Sequence, residues 1–144
     1  MLQELAYFWG LAGAPQALLT PDLSRGFPSW YYLEYFLGHG IIFAGLAYLI
    51  GVQGFRPGPG AVLRVMLALN AYAVVVGAID YAFDWNYGYL CQKAPGSLME
   101  SMGPWPWYLL VMEAVALVNF VLLARLGAFL PPGPAGCPDR SPNT

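Results

Sequence analysis

The chain has 144 residues, of which 58% are hydrophobic and only 10% charged, with a net charge of −2 and a mean hydropathy of +0.53. Ordinary soluble domains carry about 25% charged residues, so a soluble fold of this size could not cover itself, and lipid must supply most of the solvent. The charge is spread thinly and forms no basic patch, which argues against nucleic acid as a partner.

Four apolar segments occupy residues 5–19, 32–52, 61–83 and 105–130. A helix needs about 20 residues to cross a hydrocarbon core. The first segment is short, starts almost at Met1 and has neither a basic leader nor a cleavage site, so it does not read as a signal peptide. Its abrupt start leads us to expect further spans upstream. Pro15 is expected to kink it and to free carbonyls near Leu11 that a neighbour must meet. The second segment holds the only histidine, in Leu37-Gly38-His39-Gly40. Residues 53–60, rich in Gly and Pro, form a turn. The fourth segment opens with Gly103-Pro104-Trp105-Pro106-Trp107-Tyr108, where Trp and Tyr mark a membrane interface.

The expected fold is an all-α polytopic membrane protein, a four-helix transmembrane bundle belonging to a six- or seven-span whole. Residues 1–130 form the transmembrane domain, and the polar, Pro/Gly-rich residues 131–144 form a disordered tail. Four spans put Arg56, Arg64, Arg125 and Arg140 on one side and Arg25 and Lys93 on the other. The first side is expected to be cytoplasmic.

Depth follows from a rise of about 1.5 Å per helical residue. His39 lies eight positions after Tyr31, and Glu113 eight after Trp105, so both sit about 12 Å deep. Ionisable groups inside a membrane usually pair, and a His39–Glu113 pair is expected. The alternative for His39 is a structural imidazole bonded to a neighbouring helix. Gln16 and Asp80 approach the same outer face from the opposite direction, with Glu34, Asn86 and Tyr87 near the rim. Gln16, Asp80, Asn86 and Tyr87 are therefore the candidate substrate-binding residues. For Asp80 and Glu34, near helix ends, the competing reading is a carboxylate reaching interfacial water. Asn70 and Asn119 read as interhelical hydrogen-bonding residues, and Ala73 with Gly77 as a small-residue packing face. Cys91 and Cys137 fall on opposite sides and should not pair.

Hydrolase, nucleotide-binding and metalloprotease signatures are absent. One histidine cannot build a multi-histidine metal site, so neither metal nor cofactor is expected. Any chemistry would use His39 as general base or acid for a nucleophile located elsewhere.

Several runs taken together resemble the YwaF-type bacterial integral membrane protein family. They are Tyr7-Phe8-Trp9-Gly10-Leu11-Ala12-Gly13, Pro15-Gln16-Ala17-Leu18-Leu19-Thr20-Pro21-Asp22-Leu23, Gly38-His39-Gly40, Asn86-Tyr87-Gly88-Tyr89-Leu90 and the Gly103–Tyr108 run above. The match extends from Glu4 to about Leu126, and full-length members have further spans upstream. That family is in turn similar to a eukaryotic multi-span acyltransferase that makes ether phospholipids with a cysteine and a histidine. The resemblance implies that His39 is the histidine and that the cysteine belongs to an upstream half not present here. The sequence departs from the family pattern at Asp80, where Asn is expected, and at Ala94.

The expected function is thus a lipid-directed acyltransferase or hydrolase of the plasma or inner membrane, with His39 as base oriented by Glu113. Its expected partners are membrane lipids and a separate or missing N-terminal half. The alternative is non-enzymatic: an accessory or scaffold subunit, or a transporter component. The apolar inner halves of the spans past Asn70 disfavour a continuous polar path.

Overall fold

A computed structural model describes residues 1–21 and 23–130. Its helices are α1 (Leu2–Leu19), α2 (Trp30–Ala47), α3 (Ala61–Phe83) and α4 (Trp107–Phe129), and α2 runs on into a π turn at Tyr48–Val52. No strand occurs among the described residues. Three helical stretches are long and apolar enough to cross a membrane: Trp30–Val52, Ala61–Phe83 and Trp107–Phe129, each of 23 residues. At 1.5 Å per residue each reaches about 35 Å, against a hydrocarbon core of about 30 Å. The 18-residue α1 is not among them. The expected disordered tail, with Cys137 and Arg140, lies outside the described residues, as does Asp22.

Most large apolar side chains of α3 and α4 face outward, among them Leu63, Leu67, Val74, Leu110, Val118 and Leu122. In water such surface would cost about 25 cal/mol per Å². In lipid it costs nothing, and the low charge of the chain is explained.

Helix ends follow local chemistry. The Ser29 hydroxyl accepts from the Tyr32 amide at 3.3 Å and caps α2. Gly60, in the left-handed region at φ 74°, opens α3. At its far end Asp84 is left-handed at φ 56°, and the amides of Asp84 and Trp85 both close on the Asp80 carbonyl. Beyond α2, Gln53 donates its amide to Tyr48 O at 3.1 Å and Phe55 to Leu49 O at 3.0 Å, which winds the last turn wide.

The described residues divide into two compact units, one formed by residues 2–58 with 125–130 and the other by 59–124. In the first, α1 and α2 lie antiparallel. Gln3 Nε2 donates to Gln53 Oε1 at 2.9 Å at one end, and the Tyr35 hydroxyl donates to Ala17 O at 2.7 Å at the other. Tyr7, Phe8, Ala14, Leu46 and Leu49 are buried there. Gly10 lets the Leu46 side chain approach to 3.1 Å of where a Cβ would stand, and Gly127 does the same for Pro57, at 2.8 Å. An open, mainly apolar cleft of about 620 Å³ follows the α1–α2 seam, with Gln3 and Gln53 at one end.

Helix α1 continues through Pro15 to Leu19. The carbonyl that a neighbouring helix meets is Ala17's, rather than one near Leu11 as expected. Its physical reason is Pro21: four residues after Ala17, it has no amide to donate.

In the second unit the segment after α3 folds back along that helix. Gly88 comes to 3.9 Å from the Tyr72 hydroxyl and Leu90 to 3.7 Å from Gly77, each measured from the glycine's Cβ position. Gly77, read from the sequence as a helix-on-helix contact, therefore packs against this loop. Asn86 staples it: Oδ1 accepts from the amides of Cys91 and Gln92, and Nδ2 donates to Gln92 O. The Tyr108 hydroxyl donates to Tyr89 O at 2.7 Å, and Trp105 Nε1 to Leu90 O at 3.3 Å. Tyr108 is buried, so it anchors the loop instead of joining Trp105 and Trp107 in an interfacial belt.

Candidate functional site

His39 sits nine residues into α2, about 13 Å from its start. Its Nδ1 lies 2.7 Å from the carbonyl oxygen of Tyr35, one turn earlier on the same helix. A carbonyl can only accept, so Nδ1 carries the proton, and in the neutral ring Nε2 keeps its lone pair. The Tyr35 ring packs over the imidazole with centroids 4.3 Å apart and planes at 40°. Tyr35 therefore holds the ring twice, by its carbonyl and by its face, while its own hydroxyl is tied to α1 through Ala17 O. The imidazole is half-buried, and within its own unit Nε2 has no hydrogen-bond partner among the described residues. Sequence reasoning missed Tyr35, because an aromatic residue in a membrane helix carries no signal beyond packing.

Residues 42, 46 and 49 follow His39 at intervals of three, seven and ten, the spacing of one helix face. Ile42, Leu46 and Leu49 are the α2 lining of the cleft. His39 thus stands on the same face as the cleft and beyond its Ile42 end.

Gln16 belongs to this unit. Its carbonyl accepts both the amide and the hydroxyl of Thr20, each at 3.0 Å, and its side chain is exposed. Glu34 is exposed too.

The remaining candidates lie in the other unit. Asn70 Nδ2 donates to Glu113 Oε1, joining α3 to α4, and also reaches Met66 O at 2.9 Å. The interhelical role read for Asn70 is what the structure has, whereas Asn119 bonds Val115 O of its own helix. Glu113 is half-buried. The structure thus brings Glu113 to Asn70, and His39 to Tyr35.

Asp80 departs from the water-reaching carboxylate considered for it. It is only 1% exposed, and it lies one turn from Gly77, against which Leu90 of the following loop packs. Neither carboxylate oxygen has a hydrogen-bond partner among the described residues. Tyr72 interacts electrostatically with both Asp80 and Tyr87. Tyr87 is exposed, and the Asn86 amide group is used within its own loop. No three His, Cys, Asp or Glu side chains converge as a metal site among the described residues.

A family model described as the TMEM164 family matches residues 1–124. No curated protein and no solved structure matches the chain.

Proposed function

The chain belongs to the TMEM164 family, a family of membrane proteins, and we propose that it is the histidine-bearing part of a lipid-directed acyltransferase or lipid hydrolase. The observation that carries this reading is the His39 Nδ1–Tyr35 O bond, which leaves Nε2 as the basic nitrogen. In this reading Nε2 takes the proton of a thiol or hydroxyl as its sulfur or oxygen attacks a lipid ester carbonyl. The same proton then passes to the departing alcohol. The nucleophile comes from outside this chain, as the resemblance to the YwaF type and to the ether-phospholipid acyltransferase implies. Glu113, which accepts from Asn70, is proposed to favour the imidazolium through its charge alone, since Tyr35 O takes Nδ1 and Nε2 is the base. Gln16, Asp80, Asn86 and Tyr87 serve the substrate's polar part, and the apolar cleft beyond His39 suits its acyl chain.

The proposed setting is the plasma or inner membrane, with α1 as a fourth span within a six- or seven-span whole and Arg56 and Arg64 cytoplasmic. The antiparallel pairing of α1 along α2 supports the fourth span. Transfer of a labelled acyl chain between phospholipids, in membranes carrying the full-length protein, tests the chemistry. His39→Ala should lower the rate by about 100-fold or more, the range expected for loss of a general base, and leave membrane insertion unchanged. Glu113→Gln should impair it less, since it removes only that charge and leaves the base in place. Undiminished transfer in His39→Ala would overturn the reading. The outward apolar faces of α3 and α4 support a second reading, an accessory subunit docked against other spans. A tightly co-purifying membrane partner, with no transfer in the assembled complex, would favour it.

A further inference from the structure

We propose that Asp80 anchors a binding site for an ammonium group beside the loop that follows α3. Its carboxylate is almost fully buried, and both oxygens lack a partner among the described residues. A buried charge is expensive unless something of opposite sign meets it. The position sharpens the demand. Asp80 lies in the last turn of α3, where the helix dipole is already negative and opposes a carboxylate. Both features turn favourable when a cation fills the site.

The surroundings choose among cations. Among the described residues no three His, Cys, Asp or Glu side chains converge, so a divalent metal lacks its usual set of ligands. What lies near Asp80 instead is Tyr72, which interacts electrostatically with it and with Tyr87. One carboxylate and tyrosine faces are the combination that receives an ammonium, through charge pairing and cation–π attraction. The loop wall is held in place by Asn86 and by the Tyr108–Tyr89 bond, so the site is built before the ligand arrives. Near the end of a membrane-length helix, an ammonium can come from a lipid headgroup or from a dissolved amine. The headgroup source rests on the lipid-directed reading above; the site itself does not.

Thermal unfolding of the full chain in detergent distinguishes these cases, with methylammonium chloride as the probe and sodium chloride at equal ionic strength as the control. The midpoint should rise with methylammonium and not with sodium, and the rise should be lost in Asp80→Asn. An equal rise with sodium, no rise with either salt, or a rise that survives in Asp80→Asn would overturn the site. If Asp80→Asn does not fold, Tyr72→Leu, which removes the ring face, should weaken the methylammonium response, and an unchanged response there would overturn it. Native mass spectrometry from bilayers of mixed phosphatidylethanolamine and phosphatidylglycerol then assigns the source. Preferential retention of the ethanolamine lipid supports the headgroup, and methylammonium stabilisation without it supports a dissolved amine. Because every readout is binding, the site can fail while acyl transfer survives, and the reverse.

Discussion

At position 39 a single hydrogen bond decides which nitrogen can do chemistry, and the residue that makes it is four positions away on the same helix. Tyr35→Phe separates the two ways in which that residue works. The variant keeps the carbonyl and the ring against His39 but loses the hydroxyl that satisfies Ala17 O. Since Pro21 cannot replace the lost donor, thermal unfolding should show a loss of about 1 kcal/mol. The imidazole nitrogen shifts, read by NMR, should still report a proton on Nδ1. A switch to the other tautomer would mean that the tyrosine hydroxyl, not the backbone, sets the ring. His39 itself was legible in the sequence because a lone ionisable group in an apolar run stands out. Tyr35 was not, and neither was the burial of Asp80: spacing gives depth along a helix but says little about what packs around each residue.

Among the elements, glycines mark where backbone and side chains approach most closely, and two of them differ sharply. An added Cβ at Gly127 would stand 2.8 Å from Pro57 Cδ and 3.0 Å from the Tyr7 hydroxyl, whereas at Gly13 it would meet nothing within 4 Å. The proline ring cannot swing aside, so Gly127→Ala should destabilise by about 1–3 kcal/mol, as overpacking does. Gly13→Ala should be neutral or stabilise by up to about 1 kcal/mol, the helix-propensity difference. Equal midpoints for the two variants would show that α4's last turns do not pack on Pro57. The loop after α3 depends on one side chain in the same way. Asn86→Ala removes three hydrogen bonds at once, and hydrogen exchange at Cys91 and Gln92 should accelerate while the middle of α3 stays protected. The helices themselves were readable from apolar length, and α3 fills residues 61–83 as expected. The π turn was not readable, because it arises from a change of hydrogen-bond register within a segment that stays apolar throughout. The Gly77–Leu90 contact was hidden for a different reason: a small residue shows that something approaches closely, not whether it is a helix or a loop.

On the scale of the whole molecule, the membrane side of the N-terminus depends on α1 alone. If α2, α3 and α4 all cross, residues 53–60 and the loop after α3 must face opposite sides. Whether the start of α1 joins the first side or the second then depends only on its own passage. At 18 residues it reaches about 27 Å, slightly short of a core of about 30 Å. Yet Gln3 bonds Gln53, just past α2, and Ala17 bonds Tyr35, near its start, so α1 matches α2 over nearly its full length. In a chain whose native cysteines are replaced by serine, single cysteines at positions 3, 58 and 92 would decide the topology in intact cells. We expect the membrane-impermeant reagent to modify position 92 from outside and to leave positions 3 and 58 untouched until the membrane is opened. Labelling of 3 together with 92 would make α1 a helix that does not cross. Labelling of 58 would reverse the orientation read from the arginines. The Arg56 and Arg64 guanidinium groups already bind backbone carbonyls of the 50–59 segment, at Phe55 and Pro59. Their charges are thereby held at that end of α2 and α3, where the anionic cytoplasmic leaflet would attract them.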